Sequence, residues 1–350
     1  MQMGRSWCSV LVLSLGLGGC GGNGGTPSVV VSPSKPLKTV KFVGFDASPP
    51  LVDAMKLGQI QGVVVQNPYR MGQEAVRILI SSIERKEVPS KMTTGETLVT
   101  PENMESETVR PLLNPPKVLH SVDRGATGEK KKLYRVMVIP KGTTHEFWMT
   151  IHAGASKAAD DLGNVEIIWQ GPQKEDDRVE QIKLVQNAIA SKVDGIVLAP
   201  LDAKALVAPV EKAIAAGIPV VIIDSGLDST KIASYVATDN YHGGVLAGER
   251  LAELLHGEGK IILMRYAVGS ESTEQREKGF TDTIKKYPKI AYLSDDQYAG
   301  ATSDSAQKTS QSLISRYRNE VDGIFCSNES ATSGMLRVLK DAGLLATRSR

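Results

Sequence analysis

The sequence predicts an α/β protein built from two doubly wound parallel-sheet lobes. Three observations predict it: short apolar runs rich in Val and Ile, helical spacing between those runs, and a length of 350 residues, which suits about two domains. Strands that are apolar throughout are typical of parallel sheets covered by helices on both faces. Right-handed crossovers between successive strands then give the doubly wound arrangement.

The longest regular series of elements begins at residue 134. Pro200 stops its third strand, and Gly163 and Gly217 follow two of its helices, at the position where a glycine commonly ends a helix. Strands are predicted over 134–139, 165–169, 195–200 and 218–223, and helices over 147–162, 179–190 and 203–216. Because strands and helices alternate, this series predicts one parallel sheet.

A second series predicts a second lobe, which residues 235–240 are expected to join to the first. Helices are predicted over 242–256, 274–286, 303–316 and 330–342, and strands over 260–264, 290–293 and 321–326. A third, shorter series precedes both of them in the chain. It predicts strands over 40–46 and 61–66, and helices over 50–57 and from 67 to about 85.

The N-terminal residues 1–20 have the layout of a secretory signal peptide. Arg5 precedes a short apolar run over 10–17, which is too short to span a bilayer. The run ends in Leu17-Gly18-Gly19-Cys20, which resembles a bacterial lipobox and implies cleavage before Cys20 and lipidation of its thiol. A plain signal peptide cut nearby is the alternative. Residues 21–38 are rich in Gly and Pro and predict a flexible tether.

Composition and motifs argue against several classes of function. With 41 basic and 39 acidic residues, the net charge of +2 gives no electrostatic footprint for nucleic acid. The five histidines and three cysteines do not have metal-ligand spacing, so no metal is predicted. A GxGxxG match over 16–21 has no strand before it and no helix after it. No nucleophile, metalloprotease or P-loop motif occurs, and we expect a protein that is not an enzyme and needs no cofactor.

Polar and aromatic side chains follow the predicted strands. In open α/β sheets, ligands bind beyond the carboxyl ends of the strands, so these side chains are the candidate site. They are Asp224, Asp239, Arg276, Tyr298 and Asn328, together with the loop His145-Glu146-Phe147-Trp148. Carboxylate, amide and guanidinium groups can grip sugar hydroxyls in pairs, and aromatic rings suit the C–H face of a sugar.

These positions give the sequence a resemblance to the ribose-binding family of type I periplasmic binding proteins. The family's paired aromatics correspond to Phe147-Trp148, and the Asp after its fourth strand corresponds to Asp224 in Val220-Val221-Ile222-Ile223-Asp224. Its lobe-crossing Asp-Asn pair resembles Asp239-Asn240. The resemblance implies the following ligand-binding residues: Asp46, Gln66, His145, Phe147, Trp148, Asp224, Arg276, Tyr298 and Asn328.

Structural roles compete with several of these assignments. Asp46 could cap a helix, Gln66 could close a strand, and Arg276 could lie on a solvated helix face. One ring of the Phe147-Trp148 pair is expected to face the cleft, because two neighbours on a helix cannot share one core stripe. The sequence also departs from the family, since Ser225 stands where ribose binders commonly carry Arg and Lys141 replaces a small polar residue. Both changes put ribose itself in doubt.

The order of the elements implies a circular permutation of that family. Its last strand, which ends in Gly-Phe-Asp, corresponds to Gly44-Phe45-Asp46 near the start of this chain. We therefore expect the strand at Val40 to insert beside the strand at Val321; a truncated tandem or a gene-assembly error is the alternative. The expected parts are a signal peptide over 1–20, a tether over 21–38, lobe 2 over 39–66 and 239–345, lobe 1 over 67–92 and 133–238, and a hinge return strand with linker over 93–132.

The function implied by the resemblance is capture of a monosaccharide, such as a ribose-like pentose, and its delivery to an ABC-type importer. The expected partners are the sugar, a membrane permease and, through the lipid, the membrane itself, with no nucleic acid. A monomer in the periplasm, anchored to the cell envelope, is expected. A ligand-sensing module of a membrane signalling system is the alternative. A repressor of the related regulator family would need a helix-turn-helix where the signal peptide lies.

Overall fold

The computed structural model describes residues 38–116 and 132–346. The elements of this part are β1 (Lys41–Phe45), α1 (Pro49–Lys56), β2 (Gly62–Gln66), α2 (Pro68–Ile83), β3 (Lys91–Thr93), β4 (Glu96–Val99), α3 (Arg110–Leu113), β5 (Tyr134–Ile139), α4 (Glu146–Leu162), β6 (Val165–Trp169), α5 (Arg178–Ala190), β7 (Gly195–Leu198), α6 (Val207–Ala215), β8 (Val220–Ile223), β9 (Ser234–Ala237), α7 (Asn240–Leu254), β10 (Glu258–Arg265), α8 (Glu271–Ile284), β11 (Lys289–Tyr298), α9 (Ser303–Tyr317), β12 (Gly323–Cys326) and α10 (Glu329–Asp341). The predicted signal peptide with Cys20, the tether up to residue 37 and residues 117–131 of the linker lie outside the described residues.

These elements form two six-stranded sheets, each with helices on both faces. The first sheet has the order β3-β9-β8-β7-β5-β6 and is parallel throughout; with its helices it is called lobe 1. The second has the order β11-β10-β12-β1-β2-β4, in which only β4 is antiparallel to its neighbour; with its helices it is called lobe 2. The predicted fold class, two doubly wound α/β lobes, is confirmed.

Strand β1 lies in the middle of lobe 2, between β12 and β2. It runs parallel to β12, with Lys41 opposite Gly323 and Val43 opposite Phe325. Its side chains alternate between the two faces, since Phe42 packs into one core cluster and Phe45 into the other. The insertion of this strand beside the strand at Val321, which the sequence predicted, is therefore found.

Helix α2 packs against α4 on lobe 1 with almost no space between the backbones. A Cβ atom on Gly72 would lie 2.1 Å from the carbonyl oxygen of Ile151, and one on Gly154 would lie 2.0 Å from that of Tyr69. Only glycine at both positions allows this approach. The early segment of the chain is thus an integral part of lobe 1.

Three short segments join the lobes within residues 38–116 and 132–346. Gln66-Asn67 leads from β2 to α2, Thr94-Gly95 leads from β3 to β4, and Thr238-Asp239 leads from β9 to α7. The predicted hinge return strand is thus two strands, β3 in the sheet of lobe 1 and β4 in the sheet of lobe 2. Gly95 lies between them with a φ of 92°, a backbone conformation that favours glycine. Two of the segments are hydrogen-bonded to each other, because the Thr238 hydroxyl donates to Gln66 Oε1 at 2.7 Å. The third is bonded to the end of β9, because Thr94 N donates to Ala237 O at 2.9 Å.

The observed elements differ from the predicted ones at several boundaries, including the following three. Residues 234–237 form β9, paired with β8, so a strand occupies the first part of the crossing predicted over 235–240. Strand β11 extends to Tyr298, since two register shifts let it follow β10. Helix α6 starts at Val207 instead of residue 203, because Asp202 Oδ1 accepts hydrogen bonds from the backbone of Lys204 and Ala205 and forms a turn there.

Candidate functional site

A small cavity, part of it open to solvent, lies between the lobes. It is located where the carboxyl ends of the strands of both sheets face each other, the usual place for a ligand in such sheets. The lining residues are Asp46, Gln66, Lys141, His145, Phe147, Trp148, Glu175, Asp224, Tyr266, Ser270, Ser272, Thr273, Arg276, Asn328 and Glu329. Polar and charged side chains dominate this lining, which suits a small hydrophilic ligand.

Asp46 and Asp224 occupy equivalent positions in the two lobes. Asp46 directly follows β1 and Asp224 directly follows β8, and both have a left-handed backbone, with φ values of 64° and 61°. Asp and Asn tolerate this conformation better than most residues. Burial raises the pKa of Asp46, and the Arg276 guanidinium and the amide of Gln66 oppose that rise.

Gln66 connects the cavity to the lobe crossings. Its Nε2 donates to Asp46 Oδ1 at 2.7 Å, and its Oε1 accepts from the hydroxyl of Thr238 at 2.7 Å. Gln66 and Thr238 belong to two different crossing segments. The orientation of the Asp46 carboxylate is therefore tied to the hinge.

Arg276 on α8 lies in the floor of the cavity and is almost completely buried. Its Nε donates to Asn240 Oδ1 at 2.9 Å, and its Nη1 donates to the carbonyl of Ser327 at 3.1 Å. The guanidinium stacks on the Phe45 ring at 3.9 Å from the ring centroid. The rival assignment of Arg276 to a solvated helix face is excluded by this burial.

The guanidinium also lies between the two carboxylates described above. It is 3.8 Å from Asp46 Oδ2 and 4.0 Å from Asp224 Oδ1. A cation held between two carboxylates gives a set of paired donors and acceptors that can bind neighbouring hydroxyl groups.

Lys141 supplies a second buried cation. Its Nζ lies 2.8 Å from Asp224 Oδ2 and donates to Ser225 Oγ at 2.7 Å. The same ammonium donates across the cleft to Ser272 Oγ at 3.2 Å and Ser270 Oγ at 3.4 Å. Lys141 and Ser225, the two residues that depart from the family pattern, are therefore in direct contact. The positive charge that the family's Arg would place at residue 225 is supplied here by Lys141.

Glu175, in the loop after β6, accepts hydrogen bonds from three side chains. Its Oε1 lies 2.9 Å from His145 Nδ1 and accepts from Trp148 Nε1 at 2.7 Å, and its Oε2 accepts from the Tyr266 hydroxyl at 2.9 Å. Burial alone would raise the pKa of Glu175, but these donors hold it below its usual range. The hydrogen bond to Glu175 raises the pKa of His145 to about 9.

The two adjacent aromatic residues at the start of α4 differ in burial. Trp148 is 3% exposed and packs into the core of lobe 1 with its ring edge-on to Phe147, at a centroid distance of 4.8 Å. Both residues line the cavity, and Phe147 is the more exposed of the two. The expectation that at least one of them faces the cleft agrees with this arrangement.

Asn328 and Glu329 begin α10 at the lobe 2 side of the cavity. Asn328 caps the helix, since its Oδ1 accepts from the backbone of Ala331 at 3.1 Å, and its Nδ2 donates to Ser330 Oγ at 3.0 Å. Glu329 is the first residue of the helix. Burial raises the pKa of its carboxyl group to about 7, against the opposing charge of His145.

The structure brings eight of the nine predicted ligand-binding residues to one cavity. They are Asp46, Gln66, His145, Phe147, Trp148, Asp224, Arg276 and Asn328. Tyr298 does not line it; the residue lies at the end of the edge strand β11 and is 45% exposed. The aromatic hydroxyl in the cavity comes instead from Tyr266, directly after the more central strand β10.

Six lining residues besides Lys141 were not among the predicted ones. They are Glu175, Tyr266, Ser270, Ser272, Thr273 and Glu329. Tyr266 and Glu329 could have been found by the rule that selected Asp224, because each lies at the carboxyl end of a strand. Glu175 lies six residues beyond β6, and no spacing rule connects it to the cavity.

A family model described as "Periplasmic binding protein domain" matches residues 136–348, more than half of the chain. The chain belongs to this family. Among curated relatives of this periplasmic binding protein, a D-ribose/D-allose-binding protein of Pseudomonas aeruginosa is 33% identical over 157 residues, which are 43% of this chain and 49% of the relative. A xylitol-binding protein of Mycolicibacterium smegmatis is 29% identical over 180 residues, 51% of each chain. The chain thus spans about half the length of these two relatives.

Solved structures give the same result for the fold. An ABC transporter solute-binding protein from Agrobacterium vitis with bound D-fucose is 36% identical, with a TM-score of 0.58 over 60% of this chain and 73% of that one. A periplasmic component of an ABC-type sugar transport system from Hahella chejuensis is 32% identical, with a TM-score of 0.58 over 60% of this chain and 76% of that one. Within the described residues of this binding protein, no helix is long and apolar enough to cross a membrane.

Proposed function

We propose that this periplasmic binding protein binds a monosaccharide or a related polyol between its two lobes and delivers it to an ABC-type importer. The observation that carries the proposal is the buried set of Asp46, Asp224 and Arg276, which converges on one cavity from both lobes. Such groups can hold several hydroxyls at once without performing chemistry. Hinge closure of two rigid lobes supplies the capture step.

The cation beside Asp224 differs from the one that ribose binders commonly carry. Ribose binders commonly carry Arg at the position of Ser225, whereas here Lys141 contacts both Ser225 and Asp224. The cavity therefore has the compact charge of an ammonium group in place of a planar guanidinium group with paired donors. The similar proteins carry names that cover D-ribose, D-allose, xylitol, D-fucose and D-arabinose. We place the ligand of this chain within that class of small polyhydroxy compounds.

A thermal-shift screen followed by calorimetry tests this function. The protein from residue 21 onward is screened against D-ribose, D-allose, D-arabinose, D-fucose, D-glucose and xylitol. A compound that binds only the folded state raises the melting temperature by mass action. We expect one or more of these compounds to raise it and Asp224→Ala to abolish the effect. A cooperative melt that no compound shifts would contradict the proposal.

The membrane attachment is a separate part of the proposal. Delivery to a permease requires the protein to stay near the membrane, and a lipid on Cys20 with the tether over 21–38 would hold a monomer there. We expect the protein to fractionate with membranes and to incorporate labelled fatty acid, and Cys20→Ser to release it in soluble form. A wild-type protein that incorporates no label would exclude lipidation at this residue.

We also propose that the chain order is a circular permutation of the family's order. The elements over 39–66 complete lobe 2 with 239–345, and those over 67–92 complete lobe 1 with 133–238, while 93–132 returns through the hinge and links the family's native ends. Val40 N donates to Leu344 O at 2.8 Å, so the two segments that this order separates are adjacent in space. The family model also matches only from residue 136 onward.

Rearrangement of the gene tests the permutation. Placing residues 39–104 directly after residue 345, with the linker removed, restores the family's order. We expect this variant to unfold cooperatively and to bind the same sugar with similar affinity, since loop-closure costs change only slowly with loop length. A rearranged protein that fails to fold while the original chain folds would contradict the proposal.

A further inference from the structure

The Ser48 side chain interacts with the Glu329 carboxyl group, but one oxygen of that group is left without a donor. Glu329 Oε2 is completely buried, and no donor in residues 38–116 or 132–346 forms a hydrogen bond with it. The other carboxylates of the cavity have close partners: Asp46 accepts from Gln66, Asp224 pairs with Lys141, and Glu175 accepts from three side chains.

A buried hydrogen-bond acceptor without a donor destabilises the unliganded protein. A buried oxygen without a donor loses its hydration and gains nothing in return, and the cost is larger for a charged group. The start of α10 is favourable for a carboxylate, yet it does not supply a hydrogen bond to Oε2. A donor group on a bound molecule would remove this cost at the moment of binding.

We propose that Glu329 contacts the ligand and accepts a hydrogen bond from a donor group of the bound molecule. The inference rests on the proposed sugar-binding function and adds a specificity-determining residue to it. The chemistry required is an O–H or N–H donor at the end of the molecule that points toward α10. A sugar hydroxyl and the ammonium group of an amino sugar both provide it.

A pH dependence of binding follows. The charged groups that face Glu329 are Asp46 after β1, His145 before α4 and Glu175 after β6. The remaining charged lining residues are Lys141, Asp224 and Arg276. With the Glu329 pKa at about 7, a ligand that requires the ionised carboxylate binds to only about a tenth of the molecules at pH 6. Its apparent affinity should therefore rise about tenfold between pH 6 and pH 8.

Calorimetric titrations at pH 6, 7 and 8 test the proposal. D-Allose is titrated first. The probe for the comparison of variants is the sugar of the screening panel that gives the largest thermal shift. We expect the wild-type protein to bind about tenfold more tightly at pH 8 than at pH 6. Glu329→Gln should bind about tenfold more weakly than wild type at pH 8 and show no such rise. Glu253→Gln, an exposed change on the same lobe, should match the wild type.

The donor is identified by a matched pair of compounds, D-glucose and 2-amino-2-deoxy-D-glucose. A preference for the amino sugar that Glu329→Gln abolishes assigns an ammonium donor, and a preference for D-glucose that the variant abolishes assigns a hydroxyl. Glu329→Asp keeps the charge but shortens the side chain, and it should retain the pH dependence with reduced affinity.

Three outcomes are decisive. Glu329→Gln that binds as tightly as wild type, with the same pH dependence, would overturn the proposal. An unliganded Glu329→Gln protein that melts as cooperatively as wild type excludes misfolding as the cause of weaker binding. If the wild-type protein binds none of the panel, the proposed sugar-binding function itself fails, which is a different result from an unaffected Glu329→Gln variant.

Discussion

Tyr266 of lobe 2 donates a hydrogen bond of 2.9 Å to the Glu175 carboxylate of lobe 1. The hydroxyl is buried, and its phenolic pKa is raised well above the usual value, mainly by burial and then by the negative charge of Glu175, so it remains a donor. A second bridge is formed where Ser225 Oγ donates to Ser272 Oγ at 2.8 Å. Specific polar contacts therefore join the two lobes across the cavity, and a separation of the lobes would break them.

Tyr266→Phe is expected to weaken sugar binding about tenfold. The change removes the hydroxyl but keeps the ring, and a hydrogen bond to a charged group contributes about 1.5–3 kcal/mol. Since the contact exists only when the lobes are closed, its loss should appear in the affinity and hardly at all in the stability of the separate lobes. Calorimetry measures the affinity, and small-angle scattering measures the fraction of closed molecules at subsaturating ligand.

A matched control for this variant is Tyr241→Phe. The Tyr241 hydroxyl lies 3.3 Å from Asp282 Oδ2 within lobe 2 and does not bridge the cleft. This control should bind sugar with wild-type affinity. Equal affinities for Tyr266→Phe and wild type would show that the bridge does not contribute to closure.

Lys141→Met is expected to destabilise the protein by about 3 kcal/mol at pH 7. Removing one partner of a buried ion pair leaves the other charge uncompensated, which costs about 3–5 kcal/mol. Here Arg276 remains 4.0 Å from Asp224 and offsets part of that cost. The double variant Lys141→Met with Asp224→Asn should recover much of the loss, as a double-mutant cycle by urea unfolding would show.

An exposed lysine provides the comparison for Lys141. Lys157 pairs with Asp161 one turn further along α4, where the ammonium is half exposed. Lys157→Met should leave the free energy of unfolding almost unchanged, because an exposed ion pair contributes little. Similar losses for the Lys157 and Lys141 variants would contradict the role assigned to the buried pair.

Much of the fold follows from local sequence pattern, and one part does not. The strands β7 and β8 are completely buried, so their continuous apolar runs predict a parallel sheet without ambiguity. The position of β1 beside β12 cannot be obtained from periodicity, since the two strands are far apart in the chain. Only the resemblance to a known family, and the Gly44-Phe45-Asp46 segment in particular, predicted that pairing.

The site was predicted where side chains follow strands directly and less well elsewhere. Asp46 was found through the resemblance to the family segment that ends in Gly-Phe-Asp, whereas Asp224 was found because it follows a strand directly. Tyr298 was also chosen by this rule, but the order of strands within a sheet is not encoded in their spacing, and β11 is an edge strand. Glu175 was missed because the path of the loop after β6 depends on tertiary contacts with His145 and Tyr266.

His145 should make the stability of the protein depend on pH. Its pKa is raised to about 9 from an unfolded value near 6.5, so its contribution is fully present below about pH 6.5 and is lost as the pH rises through about 9. The loss is about 3 kcal/mol for a shift of this size. Urea unfolding at several pH values should show this decline in the wild type.

Two histidine variants show whether the decline belongs to His145. In His145→Gln most of the decline between pH 6.5 and 9 should be absent, because the neutral amide does not titrate; the part that remains comes from Glu329, whose pKa is about 7. His242→Gln changes an exposed histidine on α7 and should retain the decline. A wild-type protein whose stability is constant over this range would show that the pair of His145 and Glu175 is not formed in solution.

Gly72→Ala is expected to destabilise the protein by about 2–3 kcal/mol. The added Cβ would lie 2.1 Å from the Ile151 carbonyl oxygen, so α2 and α4 must move apart, and overpacking of this kind costs about 1–3 kcal/mol or more. The better helix propensity of Ala, about 1 kcal/mol, opposes the loss only in part. Ser82→Ala, also on α2 and half-buried, raises the propensity without a clash and should preserve stability. Urea unfolding compares the two variants, and a Gly72→Ala protein as stable as wild type would mean that α2 does not pack on α4 as described.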